Sequence, residues 1–363
     1  MKISSVRSVT CSVPLSRPIQ LGEITYTSRD YAVIEIRTDE GISGFGYGMT
    51  RGGPVSEIVN DLLGPQIIGE DPLLIESIWH GLYLRNLTLG PRGLLMRGIS
   101  MIDLALWDIK GKAAGLPVWK LIGGDRTEVQ ALVAGGYPRE GRSLDDLAAE
   151  ISGYLDRGIR KIKIASDTPS SDTDRLEAAR SAAKNNWLAI DLHWSWPDLP
   201  TAQSLATAWK RFDLAWLEDP FPSDATALLT RLRDVTPIPL ALGEDGTGRW
   251  QYRDLIANHS PGYLRIDATV MGGMTEAVKV CALAEVEGIP VSPHIFPEIH
   301  VHLAAAFRNV FAIEFTDPPQ EIDLVHALLS ETLHITDGRA FAPDSPGLGF
   351  EPDPASIVEY TIQ

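Results

Sequence analysis

Polar side chains end a series of short apolar runs at nearly constant spacing along the chain. Successive positions lie about 23 to 28 residues apart, which is roughly the length of one strand–helix unit. A parallel β/α barrel builds its active site from functional groups at the carboxyl ends of its strands. The pattern therefore predicts a barrel with a polar site at one end. In chain order the residues are Lys161 with Lys163, Asp191, Glu218, Glu244, Asp267 and His294.

Asp191, Glu218 and Glu244 are predicted to end three consecutive strands. Because neighbouring strands lie about 5 Å apart, three carboxylates at their ends would converge and repel one another. A divalent cation would remove this repulsion, and ligation by oxygen alone favours Mg²⁺ over zinc or copper. Any one of these acids by itself is better explained as a helix cap or an ion-pair partner. The three together predict a metal site.

Two pairs of residues could act as general bases. Lys161 and Lys163 lie two residues apart on one predicted strand, so their side chains face the same way. A neighbouring ammonium group and the cation would lower the pKa of Lys163 towards that of a working base; the alternative is a pair of surface lysines at a strand edge. Asp267 and His294 end neighbouring strands, where the carboxylate could hold one ring nitrogen and leave the other as a base. The alternative for His294 is a structural histidine.

Two further residues could act on a substrate. Glu314 ends the last predicted strand and could donate a hydrogen bond to an enolate oxygen if it stays protonated; the alternative is a solvated acid. His193 follows Asp191 by two residues, and three interpretations stay open. It could be an acid for a leaving hydroxyl group, a substrate ligand, or a histidine packed between Trp194 and Trp196.

The elements that must hold these residues divide the chain into three parts. Residues 1–125 show strands followed by helices, which is typical of a small α+β domain. Residues 126–320 alternate between strand-like and helical runs, which predicts a parallel β/α barrel. Residues 321–363 are irregular, and we expect them to return to the first domain. The predicted fold class is therefore α/β: a modified TIM barrel with an α+β N-terminal domain completed by the C-terminal tail.

The composition argues against several classes of function. A net charge of −16 is unsuited to nucleic acid, which needs a basic face, although a metal and a few lysines can still attract an anionic substrate. No apolar run approaches the length of a membrane span. The N-terminus lacks the apolar core of a signal peptide, so we expect a cytoplasmic protein. Cys11 and Cys281 have no metal-ligand spacing, and we expect both to be buried apolar residues.

Over nearly its whole length the chain resembles the enolase superfamily, in its mandelate racemase subgroup. The resemblance implies Mg²⁺ on the three carboxylates and a base on each side of the substrate. It also implies that the N-terminal domain caps the site with loops near residues 17–28 and 47–54. The implied bases are Lys163 and the Asp267–His294 pair, with Glu314 near the substrate carboxylate. The matching stretches are Lys161-Ile-Lys163, the Asp191, Glu218 and Glu244 trio, Trp216-Leu-Glu-Asp-Pro220, Asp267 with Gly272-Gly273, Ser292–Glu298 and Ala312–Glu314.

The chemistry implied by this resemblance is removal of the proton α to a carboxylate, through an enediolate intermediate stabilised by the metal. Racemases of this kind often carry Asn at the position of His193, whereas a histidine there resembles some acid-sugar dehydratases. We therefore expect a Mg²⁺-dependent dehydratase that converts a sugar acid to a 2-keto-3-deoxy acid. The alternative is a racemase or epimerase of an α-hydroxy acid. In either case the partner is a small carboxylate, and we expect a homo-oligomer.

Two observations bear on these alternatives. A non-catalytic barrel would be expected to lack at least one of Lys163, His294 and the metal carboxylates, and a glycosidase built on paired acids would leave Lys163 and His294 unexplained. Lys161 follows Gly158 more closely than in many relatives. This is a departure from the family pattern in the register of that strand.

Overall fold

The computed structural model describes residues 1–21, 24–90, 92–259 and 261–362. The N-terminal part contains an antiparallel sheet with strand order β14–β1–β2–β3. The long β1–β2 hairpin includes most of the segment predicted as a loop at residues 17–28, because Ile19 pairs with Tyr26. Gly22 and Glu23 of that predicted loop lie outside the described residues. The strands are β1 (Ile3–Leu21), β2 (Ile24–Thr38), β3 (Ser43–Met49) and the C-terminal β14 (Thr361–Ile362).

Helices cover one face of this sheet, and two glycines allow the longest helix to pack closely. A Cβ atom at Gly44 would lie 2.2 Å from the carbonyl oxygen of Ala105, and one at Gly46 would lie 2.3 Å from that of Met101. Larger residues at these two positions would therefore push α3 off the sheet. The helices are α1 (Val55–Glu57), which continues as a π-helical segment over Ile58–Leu63, α2 (Ile75–Arg85), α3 (Leu94–Ala114) and α4 (Val118–Ile122).

Eight parallel strands follow and close into a barrel. Neighbours pair in chain order from β4 to β10, and β11 pairs with β4. The remaining gap is closed where Phe311 N donates to Val291 O at 3.1 Å. The strands are β4 (Glu128–Gly135), β5 (Lys161–Ala165), β6 (Trp187–Asp191), β7 (Leu217–Glu218), β8 (Leu240–Leu242), β9 (Tyr263–Ile266), β10 (Val291–Pro293) and β11 (Ile313–Thr316).

Within the described ranges seven helices surround the barrel, one after each of the first seven strands. The chain after β11 forms 3₁₀ turns and a short hairpin where an eighth helix would stand in a regular TIM barrel. This confirms the predicted modified barrel. The helices are α5 (Leu144–Asp156), α6 (Asp172–Ala183), α7 (Leu199–Trp209), α8 (Thr226–Arg233), α9 (Gly248–His259), α10 (Gly273–Val286) and α11 (Pro297–Ala306).

The C-terminal residues contact both parts of the molecule. Strands β12 (Ile335–Thr336) and β13 (Arg339–Phe341) form a hairpin, and β13 extends the barrel sheet by pairing with β4. Helix α12 (Pro354–Tyr360) then leads to β14, which pairs with β1 of the N-terminal sheet. The domain boundaries at residues 125 and 320 stay a prediction. In the described part of the chain, no helix combines the length and hydropathy needed to span a membrane.

The barrel interior is filled in layers, and the layer near the amino ends of the strands is apolar. Trp187, Tyr263 and Phe311 pack edge to face or tilted against the buried indole of Trp216, with ring centroids 4.6 to 6.2 Å apart. These rings form one apolar cluster at the amino ends of the strands. Among the described residues, the polar side chains of the candidate site meet towards the carboxyl ends of the strands.

Candidate active site

Three carboxylates converge at the carboxyl ends of β6, β7 and β8. Asp191 and Glu218 are the last residues of their strands, and Glu244 follows β8 after Gly243. Their candidate ligand oxygens all lie within 4.8 Å of one another, and all three residues are buried. The geometry thus brings together the three acids that the sequence spacing selects.

Two buried cations lie among these carboxylates. Lys163 Nζ lies 3.0 Å from Asp191 Oδ2, 2.9 Å from Glu218 Oε1 and 2.9 Å from Glu314 Oε2. Arg265, two residues before Asp267 on β9, donates from Nε to Glu218 Oε1 at 2.9 Å and from Nη2 to Glu314 Oε2 at 2.7 Å. Burial opposes the charged form of Lys163, but the three carboxylates outweigh it and raise its pKa well above the usual range.

The charge and hydrogen bonding of this cluster fit a divalent cation. Four carboxylates, those of Asp191, Glu218, Glu244 and Glu314, face two cations, Lys163 and Arg265; four minus two leaves two negative charges. Glu218 Oε2 and Glu244 Oε2 are buried without a hydrogen-bond partner among the described residues. Burial and the neighbouring carboxylates raise the pKa of Glu244 well above its usual range. Orphaned carboxylate oxygens of this kind are hard ligands suited to Mg²⁺.

The register of β5 decides which of its residues reach the level of the three carboxylates. Ala165, not a lysine, pairs with Asp191, while Lys163 pairs with Ala189 and Lys161 with Trp187. At about 3.3 Å per residue, the backbone of Lys161 lies about 13 Å below the level of Asp191. The structure therefore does not bring Lys161 to the site. Lys163 reaches the carboxylates only by extending its side chain upward from a deeper layer.

Asp267 and His294 form a hydrogen-bonded pair at the ends of β9 and β10. Asp267 Oδ2 lies 3.0 Å from His294 Nδ1, and Asp267 Oδ1 accepts bonds of 2.8 Å from both the amide and the hydroxyl of Thr269. Burial alone would raise the pKa of Asp267, but the hydrogen bond and charge of His294 lower it to about 2. His294 keeps Nε2 directed towards the site, 3.8 Å from Glu244 Oε1, with 14% of its side chain exposed.

His193 lies on the other side of the carboxylates. The strand ends at Asp191, and the chain turns through left-handed backbone at His193 (φ 47) and Trp194 (φ 59). His193 Nε2 nevertheless comes within 3.4 Å of Asp191 Oδ2, and its ring faces Tyr137 with centroids 6.3 Å apart. Trp196 packs on Trp209 instead. The interpretation of His193 as a histidine packed between two tryptophans is therefore wrong.

Glu314 lies between the two buried cations of the site. Its Oε2 atom contacts both Lys163 and Arg265, and its Oε1 atom accepts a hydrogen bond from Ile295 N at 3.3 Å. Burial would raise the pKa of Glu314, but the two cations lower it below its usual value. The adjacent cations favour the carboxylate form of Glu314, and a protonated Glu314 that donates to an enolate oxygen stays a prediction.

Comparison with known proteins identifies the family. Residues 4–123 match the model of the mandelate racemase/muconate lactonizing enzyme N-terminal domain, and residues 146–356 match that of the enolase C-terminal domain-like family. This chain belongs to the mandelate racemase subgroup of the enolase superfamily. An arabinonate dehydratase from Saccharolobus solfataricus is 30% identical to it over 336 residues, covering 90% of this chain and 89% of the relative.

Solved structures of enolase-superfamily proteins share the fold over the full chain. A racemase from Streptomyces coelicolor A3(2) with bound magnesium has a TM-score of 0.91 at 27% identity, covering 99% of this chain and 100% of the racemase. L-Talarate dehydratase from Polaromonas sp. JS666, in complex with Mg and L-glucarate, has a TM-score of 0.87 at 30% identity, covering 100% and 98%. Both dehydratases and racemases thus stand among the relatives.

Within this superfamily fold, several buried polar residues of the site were not predicted from the sequence. Arg265 had a sequence signal, because it interrupts an apolar strand and shares the face of Asp267 by alternation. His300 accepts the amide of Ala268 at Nε2, 3.0 Å away, and so supports the backbone next to Asp267. Asp219 is buried beside Glu218, and burial raises its pKa well above the usual range. No spacing in the sequence indicates that His300 lies beside Ala268 or that Asp219 is buried.

Proposed function

We propose that this protein is a Mg²⁺-dependent dehydratase that converts a sugar acid to a 2-keto-3-deoxy acid. The single observation that carries the proposal is the placement of two histidines on opposite sides of the carboxylate cluster. His193 follows β6 and contacts Asp191, while His294 follows β10 and contacts Asp267. Because β6 and β10 are four strands apart in an eight-stranded barrel, a substrate between them meets one histidine on each face.

This arrangement supplies the two proton transfers that dehydration needs. His294 Nε2 takes the proton from the carbon next to the carboxylate, and Asp267 stabilises the resulting imidazolium. His193 donates a proton to the hydroxyl group on the following carbon, the C–O bond breaks, and water leaves. The enol that remains tautomerises to the 2-keto-3-deoxy acid. Proton and hydroxyl leave from opposite faces, so the elimination is anti.

The carboxylates and buried cations prepare the electrostatic environment of this reaction. Asp191, Glu218 and Glu244 would hold the Mg²⁺, which when bound supplies Lewis-acid stabilisation of the charge that develops on the substrate carboxylate. Lys163 and Arg265 hold Glu218 and Glu314 in position, and Lys163 also holds Asp191. The assignment of Lys163 as a second base stays a prediction. On β5 the residue level with Asp191 is Ala165, and Lys163 lies two residues below it.

The test replaces His193 by Asn and follows two reactions in D₂O: loss of water and exchange of the α-proton. We expect dehydration to fall by about 10²- to 10⁴-fold, the usual contribution of a general acid, while exchange at the α-carbon continues. His80→Asn, at an exposed position on α2, is the matched control and should keep both reactions. Equal loss of exchange and dehydration in a folded His193→Asn protein would contradict the assignment.

The alternative is racemisation or epimerisation of an α-hydroxy acid, which the similarity to the Streptomyces coelicolor racemase favours. It needs a base on both faces of the α-carbon, so Lys163 would have to reach the substrate from the β5 side. Inversion of an acid that lacks a β-hydroxyl group, at a rate near that of the best substrate, would select this alternative. The cytoplasmic location and the homo-oligomeric state stay predictions.

A further inference from the structure

A buried histidine of α11 joins the two chain segments that carry the proposed base and its carboxylate partner. His300 is fully buried. Its Nε2 atom accepts a hydrogen bond from Ala268 N at 3.0 Å, and its Nδ1 atom lies 2.6 Å from Ile295 O. Ala268 follows Asp267 in the chain, and Ile295 follows His294. One imidazole ring therefore connects the residue after each member of the Asp267–His294 pair.

These two hydrogen bonds define the protonation state of the ring. A carbonyl oxygen can only accept, so the hydrogen atom of His300 lies on Nδ1, which donates to Ile295 O. A backbone amide can only donate, so Nε2 carries no hydrogen atom where it accepts from Ala268 N. Burial lowers the pKa of His300, which favours the same neutral form. A protonated ring would instead place an N–H group against the amide of Ala268.

The turn after His294 needs support because its backbone is strained. Ile295 and Phe296 are left-handed, with φ of 35° and 46°, and this conformation is unfavourable for a β-branched residue. Such residues persist where their surroundings hold them in place. His300 donates to both residues, from Nδ1 to Ile295 O and from its backbone amide to Phe296 O at 3.1 Å. Loss of the ring would therefore remove a bond that holds Ile295 in this conformation.

The segment after Asp267 is held by the other nitrogen of the same ring. Thr269 donates from its amide and its hydroxyl group to Asp267 Oδ1. These bonds orient the carboxylate within its own loop, but they do not set its distance from the β10 segment. The bond from Ala268 N to His300 Nε2 does so, because the same ring also holds Ile295.

His300 acts through its neighbours, since its ring is buried and both of its nitrogens are occupied. From these contacts we infer that His300 is a positioning residue, whose neutral ring fixes the spacing between Asp267 and His294. It thereby holds Nε2 of His294 where that atom can take the α-proton. The inference rests on the proposed function, in which His294 is the base. A displacement of a reacting group by about 1 Å can lower a rate by about 10²-fold.

His302, two residues further along the same helix, provides a matched control. It is also fully buried. Its Nδ1 atom accepts from Trp119 N at 3.2 Å, and its Nε2 atom donates to Leu348 O at 3.0 Å. This ring therefore bridges α4 and the C-terminal segment, in the opposite tautomer. Replacement of His302 removes two buried hydrogen bonds of the same kind without altering the segments after Asp267 and His294.

The test measures α-proton exchange by NMR in D₂O with the Mg²⁺-loaded protein, on arabinonate, galactonate and galactarate. His300→Phe keeps a ring but loses both bonds, and should lower kcat for exchange by about 10²-fold. His300→Gln can still donate and accept, and should recover about 10-fold of this loss. KM and the affinity for Mg²⁺ should change by less than about 2-fold, because the base acts on the transition state. His302→Gln should keep the wild-type kcat.

A double variant separates positioning of the base from a general structural role. If His300 acts through His294, His300→Phe added to His294→Asn should leave the residual exchange rate within about 2-fold of that of His294→Asn alone. A further fall by the factor seen in the single variant would overturn the inference.

The wild-type protein provides a readout that needs no folded variant at position 300. Selective ¹⁵N labelling of the histidine rings, with assignments from variants of the other histidines, should show hydrogen on Nδ1 of His300 and on Nε2 of His302. A charged ring at His300, or hydrogen on its Nε2 atom, would overturn the inference.

The remaining outcomes distinguish this inference from the proposed function. Wild-type exchange in a folded His300→Phe protein would overturn the inference and leave the dehydratase proposal in place. Equal losses in His300→Gln and His302→Gln would also overturn it, because the effect would then be common to buried bridging histidines. Wild-type exchange in His294→Asn would remove the base from the proposed function, and the inference with it. Absence of exchange on all three acids would have the same consequence.

Discussion

Two sides of the barrel mouth carry similar residue types but differ in depth. On the β9–β10 side, Asp267 and His294 lie at the strand ends, and His294 Nε2 faces the open site. On the β5 side, Lys163 lies two residues below the strand end and is 2% exposed among three carboxylates. The imidazole of the first side is open to a substrate, whereas the ammonium group of the second is enclosed by carboxylates.

The difference shows how strand register controls chemistry. A displacement of two residues moves a side chain by about 7 Å along a strand while keeping it on the same face. An ammonium group at the end of β5 would lie level with Asp191, whereas one two residues earlier lies beneath the carboxylates. Residue type and face do not distinguish a base from a charge-balancing group, so the depth of the side chain is the observation that bears on this choice for Lys163.

We expect a cation to complete the carboxylate cluster. Removal of this cation should give the largest effect on activity. Treatment with a chelator should lower kcat by at least about 10⁴-fold, because the cation contributes several kcal/mol to the transition state. Added Mg²⁺ should restore activity. A metal-free preparation, verified by elemental analysis, that keeps full turnover would contradict the prediction.

Substitution of the accessible base should be next in size. His294→Asn should lower both α-proton exchange and dehydration by about 10²- to 10⁴-fold, since a general base contributes in this range. His326→Asn, in the C-terminal part of the chain, is the control. Exchange rates measured by NMR in D₂O would decide the outcome. If His294→Asn exchanges the α-proton at the wild-type rate, the base lies on the β5 side instead.

The two lysines of β5 should differ in their effect on stability. Lys163→Met leaves buried carboxylates without their partner and should reduce the free energy of unfolding by about 3–5 kcal/mol. Lys161→Met removes a half-buried side chain without an ion pair among the described residues, and should change it by less than about 0.5 kcal/mol. Urea unfolding with and without Mg²⁺ measures both. A stable Lys163→Met protein that loses exchange for one epimer alone would instead support Lys163 as a base.

The smallest effect concerns the pH dependence of the Asp267–His294 side. The pKa of Asp267 is lowered to about 2 in the folded protein, compared with about 3.9 for an unfolded chain. Asp267 therefore stabilises the fold above about pH 4 by about 2–3 kcal/mol, and this contribution is lost as the pH falls towards 2. The free energy of unfolding should fall less steeply over this range in Asp267→Asn. Parallel pH profiles for the two proteins would contradict the prediction.

Much of the fold and the metal site could be predicted from the sequence because both rest on local periodicity. The alternation of strand-like and helical runs over residues 126–320 was visible from local periodicity, and the trio of Asp191, Glu218 and Glu244 from the strand–helix repeat. The orientation of His193 could not be predicted, because the strand ends at Asp191 and two residues with left-handed backbone redirect the ring. The partners of Arg265 come from strands far apart in the chain, so no local pattern indicates them.

The sequence by itself determined the family, the barrel, three carboxylates and His294 at the strand ends, and two lysines on one face of a single strand. These depend on spacing and alternation, which are properties of neighbouring residues. The tertiary structure alone decided that Ala165 and not a lysine stands level with Asp191. It also brought Arg51 and Arg97 of the first domain into one cleft with Asp267 and His294 of the second. The physical reason is that depth within a barrel and contact between domains depend on the pairing of distant segments, which local periodicity does not record.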